Sequence, residues 1–479
     1  MRAALALVFA LAGCQLVFPL DGPGDGGTDL VQGRWLQDVA IEDGSGIPGL
    51  QEVPFSPDEV KLTVAFADTP AMPIDYNTDG TFSFTRPADA RYRLALFHGG
   101  DVVELQSSAD TIVYSTKRFG RLDATIVDQN TPVAIAVGTT PIGTPAIATT
   151  GVWMRIGNVA APGTLDWRTT QPRNLLGVAT EVSPDRDHVY YLEYAPDGAL
   201  RSDQIVRSHL VEPVAITNGI GGSITAAPAV TSPNCSFQFK APAADEATRI
   251  LPIVPAGLSI SADWNVQASP IASVDPAGIE IASQHGGATA ATDVTASLAM
   301  FSPFPETELV ASMSTFAKVP VKHPEALDAT ALIVGTTHFD KIGTTGSCMD
   351  TSVGNGVGLV DPEFELDDVI VSDGDVITRG AVTELDWDPI DATADDVYDV
   401  RLVEITASGP STLLFERRRY LTTHDSILIA GEDLLPGRRY LAVVAGIRGM
   451  PAAGSGDFRT LAYPLGQSLQ VSPSFAIQP

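Results

Sequence analysis

The chain has 479 residues and a formal charge of −29, with 58 acidic against 29 basic side chains. No basic stripe offsets that balance, so nucleic acid and anionic lipid head groups are excluded as partners on charge alone. Hydrophobic residues at 44% are ample for packed cores and exclude a disordered chain, and the length is enough for about three or four domains.

The chain opens with Met1 and Arg2, an apolar run from Ala3 to Gly13, and then Cys14. One positive charge before a short apolar stretch is the pattern of a secretory signal. A spanning helix needs about 20 apolar residues, and Gln15 and Pro19 interrupt this run too early. Its end, Leu11-Ala12-Gly13-Cys14, resembles the lipobox of bacterial lipoproteins. The resemblance implies removal of residues 1–13 as signal peptide, acylation of the new amino group, and a diacylglycerol thioether on the Cys14 sulfur. One acyl chain holds a protein marginally, but two or three on one residue hold it stably. Gln15 stands where an aspartate would favour inner-membrane retention, which points to the outer membrane of a Gram-negative bacterium. An ordinary cleaved signal with an incidental cysteine is the alternative. Residues 14–30 then form a tether, because Gly, Pro and Asp at the density of Pro19–Asp29 cannot build a core.

Beyond the tether, short alternating runs rich in Val, Ile, Thr, Tyr and Phe are bounded by Gly, Pro, Asn and Asp. Stretches of helical periodicity free of Gly and Pro are scarce. This is an all-β pattern, and the expected architecture is tandem β-sandwich domains. The first covers 31–119, with strands expected at Arg34–Ile41, Val60–Ala67, Thr81–Thr85, Tyr92–Phe97, Val102–Gln106 and Thr111–Thr116. Asp79-Gly80 predicts a tight turn, since Gly accepts the positive φ it demands. The run Asn77-Thr78-Asp79-Gly80-Thr81-Phe82-Ser83-Phe84 with Tyr92-Arg93-Leu94 resembles the transthyretin-like or carboxypeptidase-regulatory-like sandwich, usually an accessory module whose alternating aromatics are core. Asp75, Asn77 and Asp79 with Gly80 also match the first half of an EF-hand calcium loop. Position 12 is Arg86, whose charge would face the ion, and no flanking helices are readable. The plain turn is the preferred reading, and no metal or cofactor is expected.

Two β-rich domains are expected over 120–233 and 234–360, with loops at Thr139–Thr150 and Gly219–Pro233. Asp187–Tyr194 and Ala199–Arg207 read as a hairpin around Asp197-Gly198. With Cys14 lipidated, Cys235 and Cys348 remain as an even pair in an oxidising compartment, and a disulfide is expected. It would close a loop worth about 4 to 5 kcal/mol of chain entropy. Two separate buried thiols are the alternative.

The last domain, 361–479, contains Thr383–Pro389 with Leu385 and Trp387 on one face, the alternating strand Tyr398–Ile405, and Leu435-Pro436-Gly437 followed by Arg438, Arg439 and Tyr440. Trp, Leu-Pro-Gly corner and Tyr in this order resemble a fibronectin type III sandwich. That implies a tyrosine corner, with the Tyr440 hydroxyl on nearby backbone. Phe458-Arg459-Thr460 would open the last strand, leaving Gln467–Ile477 as a tail beyond it.

Chemistry-bearing motifs are missing. No Gly-x-Ser-x-Gly elbow occurs; Gly44-Ser45-Gly46 and Gly454-Ser455-Gly456 lack its spacing. No His-Glu-x-x-His, phosphate-cradling glycine loop or Cys-x-x-Cys occurs, and the seven histidines fall without ligand spacing. The expectation is a non-catalytic, membrane-anchored envelope protein, a binder or spacer whose partner is an envelope protein or a glycan. The alternative is an extracytoplasmic hydrolase of glycans or peptides with its site in 120–360.

Overall fold

The computed structural model describes residues 28–42, 48–66, 69–150, 154–170, 179–197, 202–211, 213–270, 272, 275–276, 278–289, 293–305, 307–353, 359–390, 393 and 396–478. The protein is all-β, built of β-sandwiches in tandem. Among the described residues there is one α-helix, Ala243–Ile250.

In the first segment, strand Thr28–Glu42 pairs with Pro48–Pro54, Thr81–Pro87 and, in parallel, Thr111–Phe119. Facing this sheet is a second of Met72–Ile74, Val60–Phe66, Tyr92–His98 and Asp101–Ser107. Alternation turns Val31 and Trp35 inward against Leu62, Leu94 and Leu105. Gly33 occupies the register position under the Phe82 ring, where a Cβ would lie 2.1 Å from Phe82 Cζ. All six expected strands form; the short Pro48–Pro54 and Met72–Ile74 strands carried too little alternation to be read.

Strand Val189–Asp197 explains how the middle of the chain is layered. Val189 and Tyr191 pack on Val133, Trp167 and Ile216. The intervening Tyr190, Leu192 and Tyr194 pack on Phe237, Trp264 and Phe304. A strand covered on both faces reads as a continuous apolar run rather than an alternating one. It pairs antiparallel with Ser202–Val211, as the predicted hairpin requires, while the Asp197-Gly198 turn reaches outside the described residues. Two expected loops are corrected: Thr144–Thr149 and Gly221–Ala226 are strands, the first between two sheet neighbours and the second beside Pro132–Val137. Ala- and Gly-rich sequence hid them, because small side chains blur the period-2 signal.

Strands Ile260–Ser269, Ile279–Thr289, Glu308–Val321 and Thr330–Thr344 form one sheet of the next sandwich. Cys235–Ala241, Val294–Met300 and Thr351–Ser352 form the other.

The last segment places Val382–Ile390 between Leu359–Leu366 and Ser426–Ala430. Val397–Ser408, Ser411–Thr422, Arg439–Arg448 and Leu465–Val471 make the facing sheet. This is a fibronectin type III-like sandwich. Trp387 packs edge-on to Tyr398 at 5.2 Å, and the Leu435 N–H donates to the Tyr440 hydroxyl at 2.9 Å, closing the expected corner. The expected last strand is corrected. Phe458 lies in the connection before it, and residues 465–471 are the strand itself rather than a tail.

Among the described residues three strand-to-strand ladders fuse the sandwiches edge to edge, with isolated bridges at Val113 to Asp457 and Asp328 to Ser411 beside them. Asp203 pairs with Ser283, Gly335 to Phe339 pair with Leu469 to Leu465, and Val103 to Gln106 run parallel to Arg419 to Thr422. The third joins the first segment to the last. One sheet therefore passes through all four segments.

Candidate functional site

Cys14 lies outside the described residues. No helix among the described residues is long and apolar enough to cross a membrane. Cys235 and Cys348 form a disulfide, with Cα atoms 5.5 Å apart and a sequence separation of 113. It ties strand Cys235–Ala241 to the hairpin end beyond Thr330–Thr344, joining the two sheets of one sandwich.

The half EF-hand is a turn. The Asp79 carboxylate accepts from the Thr81 N–H at 3.0 Å and from the Thr81 hydroxyl at 2.6 Å. Asn77 donates to the same hydroxyl at 3.0 Å, and the Gly80 N–H donates to the Asn77 carbonyl. Gly80 has φ 85°, as the turn demands. Arg86 is buried on Asp110 at 2.7 Å. Among the described residues no group of three or more His, Cys, Asp or Glu is arranged to hold a metal.

Within 120–360 an acid, an imidazole and a hydroxyl meet at Glu246, His338 and Thr336. Glu246 on the helix, and His338 and Thr336 on strand Thr330–Thr344, are all nearly fully buried. A nucleophilic relay needs the hydroxyl on one imidazole nitrogen and the acid on the other. Here both partners converge on one acid oxygen: Thr336 Oγ1 donates to Glu246 Oε2 at 3.1 Å, and His338 Nε2 approaches that oxygen at 3.3 Å. Burial alone would raise the Glu246 pKa, but His338 and Arg249 outweigh it and hold it at about 2. The acid is thus a fixed anion that pins the helix to the sheet, and the hydroxyl is not activated.

The polar site that the fold does build lies elsewhere, at the parallel joint of Asp101–Ser107 with Ser411–Thr422. Side chains alternate across that joint, and each face carries a cavity. On one face, about 230 Å³ is lined by Arg93, Glu104 and Arg418. Burial pushes the Glu104 carboxyl up to about 7, against the pull of Arg93 and Arg418. Gln106 Nε2 donates to it at 2.8 Å.

On the other face, about 480 Å³ is lined by Trp35, His98, Tyr114 and Thr116 from the first segment and by Glu416, Arg417 and Arg419 from the last. Trp35 is fixed by its Nε1–H on Thr116 Oγ1 at 3.2 Å, and His98 by a tilted ring contact with Phe55, centroids 4.5 Å apart. A β-bulge skips Arg417 in the register, where Leu402 faces Arg418 and Val403 faces Glu416. Bulges of this kind re-aim a side chain. Arg419 is held by Asp399 at 2.8 Å, whose charge overcomes the effect of burial and raises the arginine's pKa. Tyr114 is 9% exposed, and among the described residues its hydroxyl meets no hydrogen-bond partner. Burial raises its pKa, so it stays a neutral donor and acceptor.

Sequence reading placed any site in 120–360 and missed this one. One signal for it existed, the run Arg417-Arg418-Arg419 in a strongly acidic chain.

No family model matches the chain, and no curated protein matches it. Among solved structures it is similar to the FN1–FN3 domains of chicken CNTN1, at 7% identity and a TM-score of 0.13, covering 94% of this chain and 98% of that one. It is similar to the N-terminal four Ig domains of Dscam1 isoform 8.4, at 8% identity and a TM-score of 0.13, covering 95% and 100%. It is also similar to the Bacillus anthracis TIE protein, at 8% identity and a TM-score of 0.11, covering 95% and 75%.

Proposed function

We propose that this chain is a cell-envelope lipoprotein, anchored at the outer membrane through lipid on Cys14, whose body binds a ligand without transforming it. The observation that carries the binding half is the cavity at the joint of the first and last sandwiches. Aromatic rings, guanidinium groups and an unpartnered hydroxyl converge there, and no hydroxyl or thiol in it sits on a general base. In this reading the first sandwich is the transthyretin-like accessory module, and the ligand belongs to an envelope glycan or protein.

Two experiments test the proposal. Palmitate labelling in a Gram-negative host should mark the wild type and leave Cys14→Ser unmarked; equal labelling of both removes the anchor. Incubation of the purified full chain with envelope glycan fragments and peptides should return retained ligands chemically intact. Release of cleaved products would restore the hydrolase reading.

A further inference from the structure

We infer that the hollow over Gly335, where strand Thr330–Thr344 pairs with Leu465–Val471, takes a single ring of a neutral sugar. This site lies apart from the cavity at the joint of the first and last sandwiches, and its failure leaves that binding reading as it stands.

Strand register builds the hollow. Asp263 lies opposite Ser314, Ser314 opposite Thr337, and Thr337 opposite Gln467. Residues directly opposite share a sheet face, so these four make one polar row across four strands. The next row on that face reads Phe316, Gly335 and Leu469. Neighbouring strands lie about 4.8 Å apart, which sets Phe316 and Leu469 about 10 Å from each other with only glycine between them. Gly335 has φ 151°, and a Cβ there would lie 2.1 Å from the Thr315 carbonyl oxygen, so no larger residue can take its place. The result is a cavity of about 280 Å³, lined by the polar row together with Phe316, Leu469 and Ile333.

The lining decides the class. Asp263 is its one charged side chain, so an anionic ligand meets repulsion there and finds no cation to pair with. The donors left open are neutral. The Ser314 and Thr337 hydroxyls share one hydrogen bond at 2.9 Å, which leaves one of their protons unused. Asn265 Oδ1 accepts from Ser312 Oγ at 3.0 Å and from Gln267 Nε2 at 2.9 Å. The Asn265 Nδ2 group and the Gln467 amide meet no protein partner among the described residues. Sugar hydroxyls donate and accept at once, and this mixture of amide and hydroxyl groups beside a carboxylate answers both needs. Phe316, Leu469 and the glycine floor supply the apolar surface for the C–H face of the ring. An extended peptide is disfavoured, because Gly335 to Phe339 are paired on both backbone edges and offer none to join. The gap between Phe316 and Leu469 suits one ring.

The test is saturation-transfer NMR with calorimetric titration of the purified full chain. The probes are glucose, galactose and N-acetylglucosamine, with glucuronic acid and protonated glucosamine as charged comparisons. Wild type, Thr337→Val, Gln467→Ala and the exposed, remote Ile220→Ala are compared, each with its melting temperature recorded. Thr337 and Gln467 are half-buried and belong to no packed core, so their variants keep the fold. At least one neutral sugar should bind, and more tightly than either charged sugar. Thr337→Val and Gln467→Ala should each weaken it about fivefold, the size of one neutral hydrogen bond, and Ile220→Ala should not. Failure of all three neutral sugars to bind, equal or tighter binding of glucuronic acid or glucosamine, or indifference to both cavity substitutions in folded protein overturns the inference.

Discussion

Glu104 sits where two sandwiches meet, and its ionisation is coupled to their union. Its folded pKa of about 7 lies above the ordinary carboxyl value of 4.5, because burial opposes the charged form. Between those two values the folded chain holds a proton that the unfolded chain has lost. Stability from this group is therefore complete below about pH 4.5 and is lost as pH rises through about 7. The loss reaches about 3 kcal/mol for a shift of this size. Glu104→Gln keeps the shape and removes the proton exchange. Its melting temperature should match the wild type near pH 5 and exceed it by several degrees at pH 8. Parallel curves for the two proteins between pH 5 and pH 8 would show that Glu104 is solvated and the joint is open. Other residues show what sequence can and cannot give. Trp387 and Tyr440 were legible because their roles are local, fixed by strand alternation and a five-residue corner. Tyr114, Glu104 and Arg417 were not, because their environments are made by a strand more than 300 residues away in sequence.

At the scale of elements, the connection between strands Arg439–Arg448 and Leu465–Val471 departs most from its expected role. In a sandwich displayed for recognition, loops of this kind face solvent. Here the loop is built into the first segment. The Val113 N–H donates to the Gly456 carbonyl and the Phe458 N–H to the Val113 carbonyl, both at 2.9 Å. Met450, Ala453 and Phe458 join the core around Trp35 and Tyr92. Arg459 reaches the fully buried Asp38 at 2.7 Å and Glu52 at 2.6 Å, and the Tyr463 hydroxyl donates to the Ala272 carbonyl at 2.7 Å. Gly456 has φ 91°, and a Cβ there would lie 1.7 Å from the Thr111 carbonyl oxygen. Phe458-Arg459-Thr460 read as a strand because an aromatic followed by a charge and a β-branched residue mimics alternation; its apolar side answers a neighbouring sandwich instead of its own. Phe458→Ala should cost about 3–5 kcal/mol, the range for a buried aromatic, and Arg459→Ala a comparable amount by leaving Asp38 buried and unpaired. Urea titration reads both. A loss under about 1 kcal/mol for each would mean the loop is displayed, not docked.

The four segments close into one object instead of a flexible string, and that closure has a thermodynamic consequence. Beads on a string unfold independently, each with its own midpoint, because few contacts cross their linkers. Here Val397, Leu421 and Phe458 of the last segment complete the core of the first. The parallel pairing of Val103 to Gln106 with Arg419 to Thr422 removes an exposed sheet edge from both. Deleting residues 361–479 would uncover that core and also the edge of Thr330–Thr344 that pairs with Leu465–Val471. The first segment in the shortened chain should then melt about 10 °C or more below its temperature in the full chain, as the loss of several kcal/mol implies. Hydrogen exchange at the amides of strand Thr28–Glu42 reports that segment, and calorimetry counts the transitions. The full chain should show fewer transitions than segments, because each pairing couples one sandwich to the next. Retention of the first segment's melting temperature after the deletion, with one transition per segment in the full chain, would mean that the joint contributes no stability. A cavity walled by two such segments would then have no fixed shape to offer a ligand.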